Sequence, residues 1–469
     1  PSFVRCSHMF VAALFLYRYV PREKDVREFT TKVWTGEVEI GDFVPPVQAA
    51  LSSPQDGRST DLLPRMRTLQ RKIQVMHSKA RPKRIKFLVV PGSKFRYLKR
   101  KNNSSSDQYD VGELHFLVKQ EAKGDLRKDA RVQNLNVVIN RLFASSATNA
   151  RDHRLHLTTF AVTCLSEDCG ILEWVPNTDS MRNSLSKSYN PLASPYCLRR
   201  RGKRSADFTD PDLRQSFEKS QNIFIKGGDL SKATESFEKL CLSNYPPVFY
   251  WWFVQQFPDP YSWYEARSRY TLSVAVWSAV GHIIGLGDRH SENLLMDTAT
   301  GACVHVDFDC IFDKGLSLPR PEVVPFRLTP NMLDAMGPVG ADGMFASSLK
   351  SAMSILRDNM DILLSVLEPF LNDPIIDWRR IKSSQRAINK DCSEAKRSIK
   401  VIEERLLGVY NLRNPNYKKV QRIDKIEDDG EDMMHMLPLS VEGQVQKMIT
   451  EAVSHENLVQ LYVGWMPWI

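Results

Sequence analysis

GLGDRHSENLLMDTATGACVHVDFD, residues 285–309, decides the reading of this chain, because its acids and amides fall where a turn and two short strands bring them together. Upstream, the apolar run Thr271 to Ile284 predicts a helix that delivers the chain into a glycine-flanked loop, 285–287. The loop presents Asp288, His290 and Asn293 before Leu294 and Leu295 return the chain to a core. A turn over 297–301 and a short β-rich stretch, Cys303 to Val306, then lead to Asp307 and Asp309.

These residue types suit phosphoryl transfer. The transferred γ-phosphoryl group carries dense negative charge, so a protein contributes mainly positioning and charge neutralisation by a divalent cation. Asp307 and Asn293 offer a carboxylate and an amide oxygen, hard ligands for Mg2+ or for Mn2+ in its place, with water and the phosphates of ATP completing the shell. Asp288 can accept the proton of an acceptor hydroxyl, and His290 can hydrogen-bond a phosphoryl oxygen or the leaving group. A solvated loop would explain an isolated Asp-Arg-His, but not DRHSEN followed by VDFD inside apolar strands.

The loop resembles that of the kinases related to phosphatidylinositol 3-kinase, which read DRH-x-x-N where ordinary protein kinases have HRD-x-x-x-x-N. Residues 313–332, DKGLSLPRPEVVPFRLTPNM, are similar to the activation segment of the ATR-like checkpoint branch, PE-x-VPFRLT-x-NM. One departure is Asp309, which stands where the usual Asp-Phe-Gly has its glycine and so lacks that residue's backbone freedom. Lipid kinases of the superfamily carry a basic cluster in this segment, whereas this chain has Lys314, Arg320 and Arg327 among prolines and apolar residues. A protein substrate is favoured, and the resemblance implies Ser or Thr followed by Gln.

GILEWVP, residues 170–176, reads as a strand stopped by proline and resembles the family's adenine hinge. The resemblance assigns the backbone of Glu173 and Val175 to the adenine edge and the ring of Trp174 to stacking, with a plain core role for Trp174 as the alternative. LHFLVK, 114–119, predicts a strand ending in Lys119, the candidate for the α- and β-phosphates, and an amphipathic helix is expected over 124–143. The family spacing, four residues before the Asp of DLR-x-D, falls on Glu121, so Lys123 stays open as the alternative lysine, and Asp129 is the candidate partner of Lys119. The family's short phosphate-covering turn is replaced by residues 98–112, where Gly112 alone matches, and residues 91–105 read as an insertion.

Composition bounds the rest. The 469 residues, 42% of them hydrophobic, suffice for about three domains. Eight cysteines without a CxxC pair argue for reduced thiols rather than disulfides or a structural zinc. MFVAALFLYRYV, 9–20, is too short to span a bilayer and is broken by Arg18, so a core helix is expected and no membrane span. A net charge of +9 suits anionic company. Residues 65–84 have helix-like basic spacing, and 198–204, LRRRGKR, form a loop-like basic run compatible with nuclear import.

Amphipathic helices are expected over 351–371 and 389–407, then a polar, mobile regulatory stretch over 414–434. Residues 437–469 combine helical spacing with a terminal aromatic hook, and resemble the C-terminal FATC domain of the large protein-kinase members. The expected fold is α+β and two-lobed, of the PI3K/PI4K catalytic type. Its parts are an N-terminal segment (1–81), a β-rich N-lobe (82–173), a hinge and mainly helical C-lobe (174–385), a linker (386–436) and the FATC-like end (437–469). The resemblance implies a nuclear serine/threonine protein kinase of DNA-damage and replication-stress signalling. It further implies an adaptor, an activator, and indirect association with single-stranded DNA coated by replication protein A. A phosphoinositide kinase and a catalytically silent scaffold are the alternatives.

Overall fold

The computed structural model describes residues 28–30, 38–43, 65–70, 72–76, 81–90, 112–120, 126–146, 152–166, 169–189, 211–371, 385–410 and 438–469. They divide into two units, one built from residues before 138 and from 158–176, the other from 138–157, 177–373 and 378–469.

The first unit is an antiparallel sheet of β1 (Glu28–Thr30), β2 (Val38–Phe43), β3 (Arg65–Leu69), β4 (Lys72–Val75), β5 (Lys83–Val90), β6 (Gly112–Gln120), β7 (Val162–Cys164) and β8 (Cys169–Glu173). Its order is β1-β4-β5-β6-β8-β7, with β3 also beside β5 and β2 beside β3. Strict alternation builds the centre: Ile85, Phe87 and Val89 on β5 and Leu114, Phe116 and Val118 on β6 are buried. Phe87 and Phe116 meet edge to face at 5.6 Å.

One expectation is corrected here. The described residues of 65–84 form no helix but strands β3, β4 and the start of β5. Ile73 and Val75 are buried around the exposed Gln74, a period of two, and pairing with β1 and β5 overrides the 3.6-like spacing of the basic residues. The sheet thus takes in strands on both sides of residue 82.

Helix α1 (Leu126–Ser146) follows β6 and buries Val132, Leu135, Ile139, Leu142 and Phe143 along one stripe. Its first half belongs to the first unit and its last residues to the second.

The second unit is mainly helical: α2 (Met181–Ser188), α3 (Pro211–Gly227), α4 (Leu230–Phe237), α5 (Phe249–Gln256), α6 (Pro260–Ile284), α7 (Pro330–Met336), α8 (Met344–Asp358), α9 (Met360–Leu371), α10 (Gln385–Leu407), α11 (Val441–Val453) and α12 (His455–Leu458). A small sheet, β9 (Thr178–Ser180), β10 (Leu294–Asp297) and β11 (Cys303–His305), runs in the order β11-β10-β9.

Helix α6 positions the loop that follows it. Asp259 caps its start, accepting from Ser262 N at 2.9 Å, and Pro260 occupies the first turn, where no amide donor is needed. Every residue from Tyr270 to Ile284 is buried, so this is a core helix enclosed all round, its polar members Thr271, Ser273, Ser278 and His282 included. Ser273 Oγ accepts the N–H of Cys303 at 2.9 Å, tying the helix to β11. Gly285 ends it at φ +61°, a left-handed cap suited to glycine.

Among the described residues no helix is long and apolar enough to cross a membrane. Residues 9–20, 91–105, 198–204 and 414–434 and Lys123 lie outside the described residues.

Candidate active site

The loop after α6 runs beside the segment that follows Asp307. Gly287 N donates to Cys310 O at 2.7 Å, Phe312 N to Ile284 O at 2.9 Å, and Asp313 N to Gly285 O at 3.0 Å. Three aspartates in this pair of loops have left-handed backbone, Asp288 at φ 58°, Asp307 at φ 64° and Asp313 at φ 59°. Aspartate visits that region more readily than most residues, yet each instance needs a surround that holds it.

Arg289 supplies much of that surround. The side chain is 3% exposed, and its Nε donates to Gly287 O at 2.9 Å. Nη1 donates to Val306 O at 2.9 Å, and Nη2 donates to Asp307 O. One guanidinium therefore welds the two loops through three carbonyls, with the ring of Phe308 at 5.8 Å from its carbon.

The expected loop residues come together around it. Asp288 is exposed, while Asn293 is buried and held from three sides. Asn293 N donates to His290 O at 3.0 Å, its carbonyl accepts from Val306 N at 3.1 Å, and its Nδ2 donates to Asp288 O at 2.9 Å. With the amide nitrogen so engaged, Oδ1 is the atom left to face a cation. Half-buried His290 accepts the Glu292 N–H on Nδ1 at 3.2 Å, which assigns the proton of the neutral ring to Nε2. Burial lowers its pKa below the usual histidine value, against the pull of Asp288, so the ring is a neutral donor at physiological pH.

Asp309 causes no strain where glycine is usual, because its φ is not in the left-handed region; that conformation belongs to Asp307. The Asp309 carboxylate pairs with Lys314 at 2.8 Å.

Three residues of the site carried no such role in the sequence reading: Arg289, Glu322 and Arg327. Glu322 Oε2 accepts the Asp288 N–H at 2.8 Å, and burial pushes its carboxyl pKa up. Arg327 is one of the three cations of the activation segment, and the sequence leaves it open to a headgroup. It is buried instead, its Nη1 donating to Arg289 O at 3.2 Å and to Trp465 O at 2.6 Å, its Nη2 to Met466 O at 3.0 Å and to Ile469 O at 2.7 Å. Its carbon lies 4.2 Å from the centre of the Trp465 ring. The available signal was an arginine inside an apolar run, Phe326-Arg327-Leu328, which in a folded core demands partners.

In the first unit Gly112 opens β6 opposite Val89, and Lys119, near the end of β6, pairs in register with Gly170 of β8. A Cβ at Gly170 would fall 2.9 Å from Thr163 O and 3.0 Å from a Leu126 methyl, so glycine permits the close approach of α1 beside Lys119. Asp129 is buried in the first turn of α1. Glu173 N donates to Ala161 O at 2.8 Å, so any adenine role of its backbone falls to its carbonyl. Trp174 is half-buried, with the Arg84 guanidinium 4.2 Å over one ring face, and its N–H donates to His115 O at 3.0 Å.

No group of three or more His, Cys, Asp or Glu able to hold a metal occurs among the described residues. Asn293 Oδ1 and Asp307 fit a hard divalent cation that takes its other ligands from nucleotide phosphates and water.

A two-unit α+β fold with a DRH loop, an acid-bearing β11 segment and a helical C-terminal hook defines a kinase catalytic domain. The chain belongs to the phosphatidylinositol 3- and 4-kinase family, which it matches over residues 115–380, and residues 438–469 match the FATC domain. Such a domain uses ATP and a divalent metal. Within the family, its relatives include the serine/threonine-protein kinase ATR of Oryza sativa subsp. indica, 41% identical over 74% of this chain and 11% of that protein. The protein kinase rad3 of Schizosaccharomyces pombe is 40% identical over 73% of this chain and 12% of its own length. This chain thus spans about an eighth or less of these curated relatives. Among solved structures, "FAT and kinase domain of CtTel1" superposes with a TM-score of 0.73 at 22% identity, covering 98% of this chain and 28% of that one. "Tel1 kinase butterfly symmetric dimer" gives 0.61 at 26% identity, over 88% and 15%.

Proposed function

We propose that this chain is the catalytic end of a serine/threonine protein kinase that transfers the γ-phosphate of ATP to Ser/Thr-Gln sites in proteins. The observation that carries this reading is the Arg289 weld, which brings Asp288, His290, Asn293 and Asp307 into one rigid pair of loops.

In the proposed reaction the acceptor hydroxyl oxygen attacks the γ-phosphorus while the bond to the β–γ bridging oxygen breaks. Asp288 takes the hydroxyl proton, and the Nε2–H of His290 hydrogen-bonds the oxygens where charge grows. Asn293 and Asp307 would hold Mg2+, which when bound neutralises the phosphate charge. Lys119 would meet the α- and β-phosphates, with Asp129 as its proposed partner and Gly112 at the start of β6. The Glu173 carbonyl and the Val175 backbone meet the adenine edge, and Trp174 offers the ring face opposite Arg84.

A protein acceptor is favoured over a phosphoinositide because Lys314 is paired with Asp309 and Arg327 is buried against the C-terminal segment, which removes two of the three cations counted for a headgroup. The whole protein is assigned to nuclear checkpoint signalling after DNA damage and replication stress, with an adaptor and an activator and, through the adaptor, single-stranded DNA coated by replication protein A. The resemblance of residues 285–309 and 313–332 to the ATR-like checkpoint branch supports this assignment.

The substrate class is tested by offering labelled ATP to a Ser-Gln peptide and to phosphatidylinositol vesicles in parallel. Label in the peptide alone supports the proposal. Label in lipid alone would replace it with a lipid kinase, and nucleotide binding without transfer to either would make the chain a silent scaffold.

A further inference from the structure

Glu322 lies in the activation segment, 34 positions from Asp288, yet its carboxylate reaches the base of the catalytic loop. A 3-10 turn over Lys314–Ser317 folds the segment back, and Glu322 N donates to Gly315 O at 3.1 Å. The carboxylate then occupies a slot with two glycine walls. A Cβ at Gly287 would stand 2.7 Å from Glu322 Oε2, and one at Gly315 would stand 2.8 Å from the same atom. Both glycines are needed for that oxygen to be where it is.

The oxygen meets the N–H of Asp288, the residue held at φ 58°. A left-handed non-glycine backbone persists only where neighbours over-determine it. Here Asn293 Nδ2 holds the Asp288 carbonyl at 2.9 Å and Glu322 holds its N–H at 2.8 Å, so the peptide groups on both sides of the Cα are pinned.

We propose that Glu322 is a positioning residue for phosphoryl transfer: its carboxylate fixes the Asp288 backbone turn. The kinetic part of this inference rests on the reading of Asp288 as the base; the geometric part does not. What matters is an acceptor oxygen at the right reach rather than a negative charge, which separates three substitutions. Glu322→Ala removes the acceptor, Glu322→Asp keeps the charge but draws it back by one methylene, and Glu322→Gln drops the charge but keeps an oxygen at the same reach.

The test uses the whole chain and two readouts. Amide hydrogen exchange over a fragment containing Asp288 is expected to quicken about ten-fold or more in Glu322→Ala and Glu322→Asp, where the acceptor of the Asp288 N–H is lost or withdrawn, and to stay near wild type in Glu322→Gln. In ATP-dependent transfer to a Ser-Gln peptide, kcat is expected to fall about 100-fold in Ala and Asp, the scale of a misplaced catalytic group, with KM for ATP nearly constant and partial rescue by Gln. A residue serving the fold alone would lower the melting temperature in all three without splitting kcat from KM, and that pattern would overturn the inference. So would wild-type exchange at Asp288 in Glu322→Ala. A wild-type chain that transfers no phosphate would instead count against the proposed function, while the exchange series still decides the role of Glu322.

Discussion

Arg327 Nη2 donates to the backbone oxygen of Ile469 at 2.7 Å, joining positions 142 residues apart. The same guanidinium holds Trp465 O, Met466 O and Arg289 O, so the C-terminal segment and the catalytic loop share one buried cation. Burial lowers the Arg327 pKa to about 9, with Glu322 and Tyr270 opposing, and the group stays charged at physiological pH.

Removing it leaves four carbonyls without that donor in a buried place. Arg327→Ala is expected to cost about 3 kcal/mol or more of stability, and Arg327→Lys to recover only part, because an ammonium cannot reproduce the planar fork. Thermal unfolding of the three proteins checks this; equal melting temperatures would contradict the clamp.

Arg289 should act on chemistry more than on nucleotide binding. Its three carbonyl partners lie in the two loops that carry Asp288 and Asp307. Arg289→Lys is expected to lower kcat by about 100-fold, because loops misplaced by even 1 Å lose catalytic geometry, with a much smaller change in KM for ATP. Steady-state kinetics with a Ser-Gln peptide separates the two.

Much of the second unit was legible beforehand, and the reason is visible in particular residues. The run 271–284 is mostly apolar and wholly buried, Gly285 ends it, and DRHSEN and VDFD keep their spacing through local hydrogen bonds such as Val306 N to Asn293 O. Strands β3 and β4 were not legible as strands, because their apolar positions are few and their partner β5 lies further along the chain. Nor could the sequence show Glu322 touching Asp288 or Arg327 touching Ile469, since contacts across 34 and 142 positions depend on the finished fold. Asp309 read as a loss of flexibility, yet the left-handed residues in that segment are Asp307, Phe312 and Asp313.

In the first unit a pH effect follows from His115. Arg84 Nε donates to its Nδ1 at 2.9 Å, which requires the neutral ring, and burial followed by the Arg84 charge lowers its pKa to about 4. The unfolded chain binds a proton near pH 6.5 that the folded chain refuses, so stability is full above about 6.5 and is lost as pH falls toward 4. Melting curves between pH 7.5 and 5 are expected to slope downward with acid, less steeply in His115→Gln. An unchanged slope in that variant would assign the loss to other groups.

The open choice between two lysines has its own test. Lys119→Met is expected to abolish saturable ATP binding, Lys123→Met to leave it within a few-fold, and Gly170→Ala to weaken it by crowding Leu126 against β8 beside Lys119. Binding of a fluorescent ATP analogue measures all three. Loss in Lys123→Met alone would move the phosphate contact to that residue.

A Gln-directed protein kinase built on Asp288, Asn293 and Asp307 is tested most directly by Mg2+-dependent transfer of labelled phosphate from ATP to a Ser-Gln peptide and its Ser-Ala twin. Wild type should label the Ser-Gln peptide and Asp307→Ala neither, with both proteins equally folded. Equal labelling of the two peptides, or transfer that survives in Asp307→Ala, would contradict it.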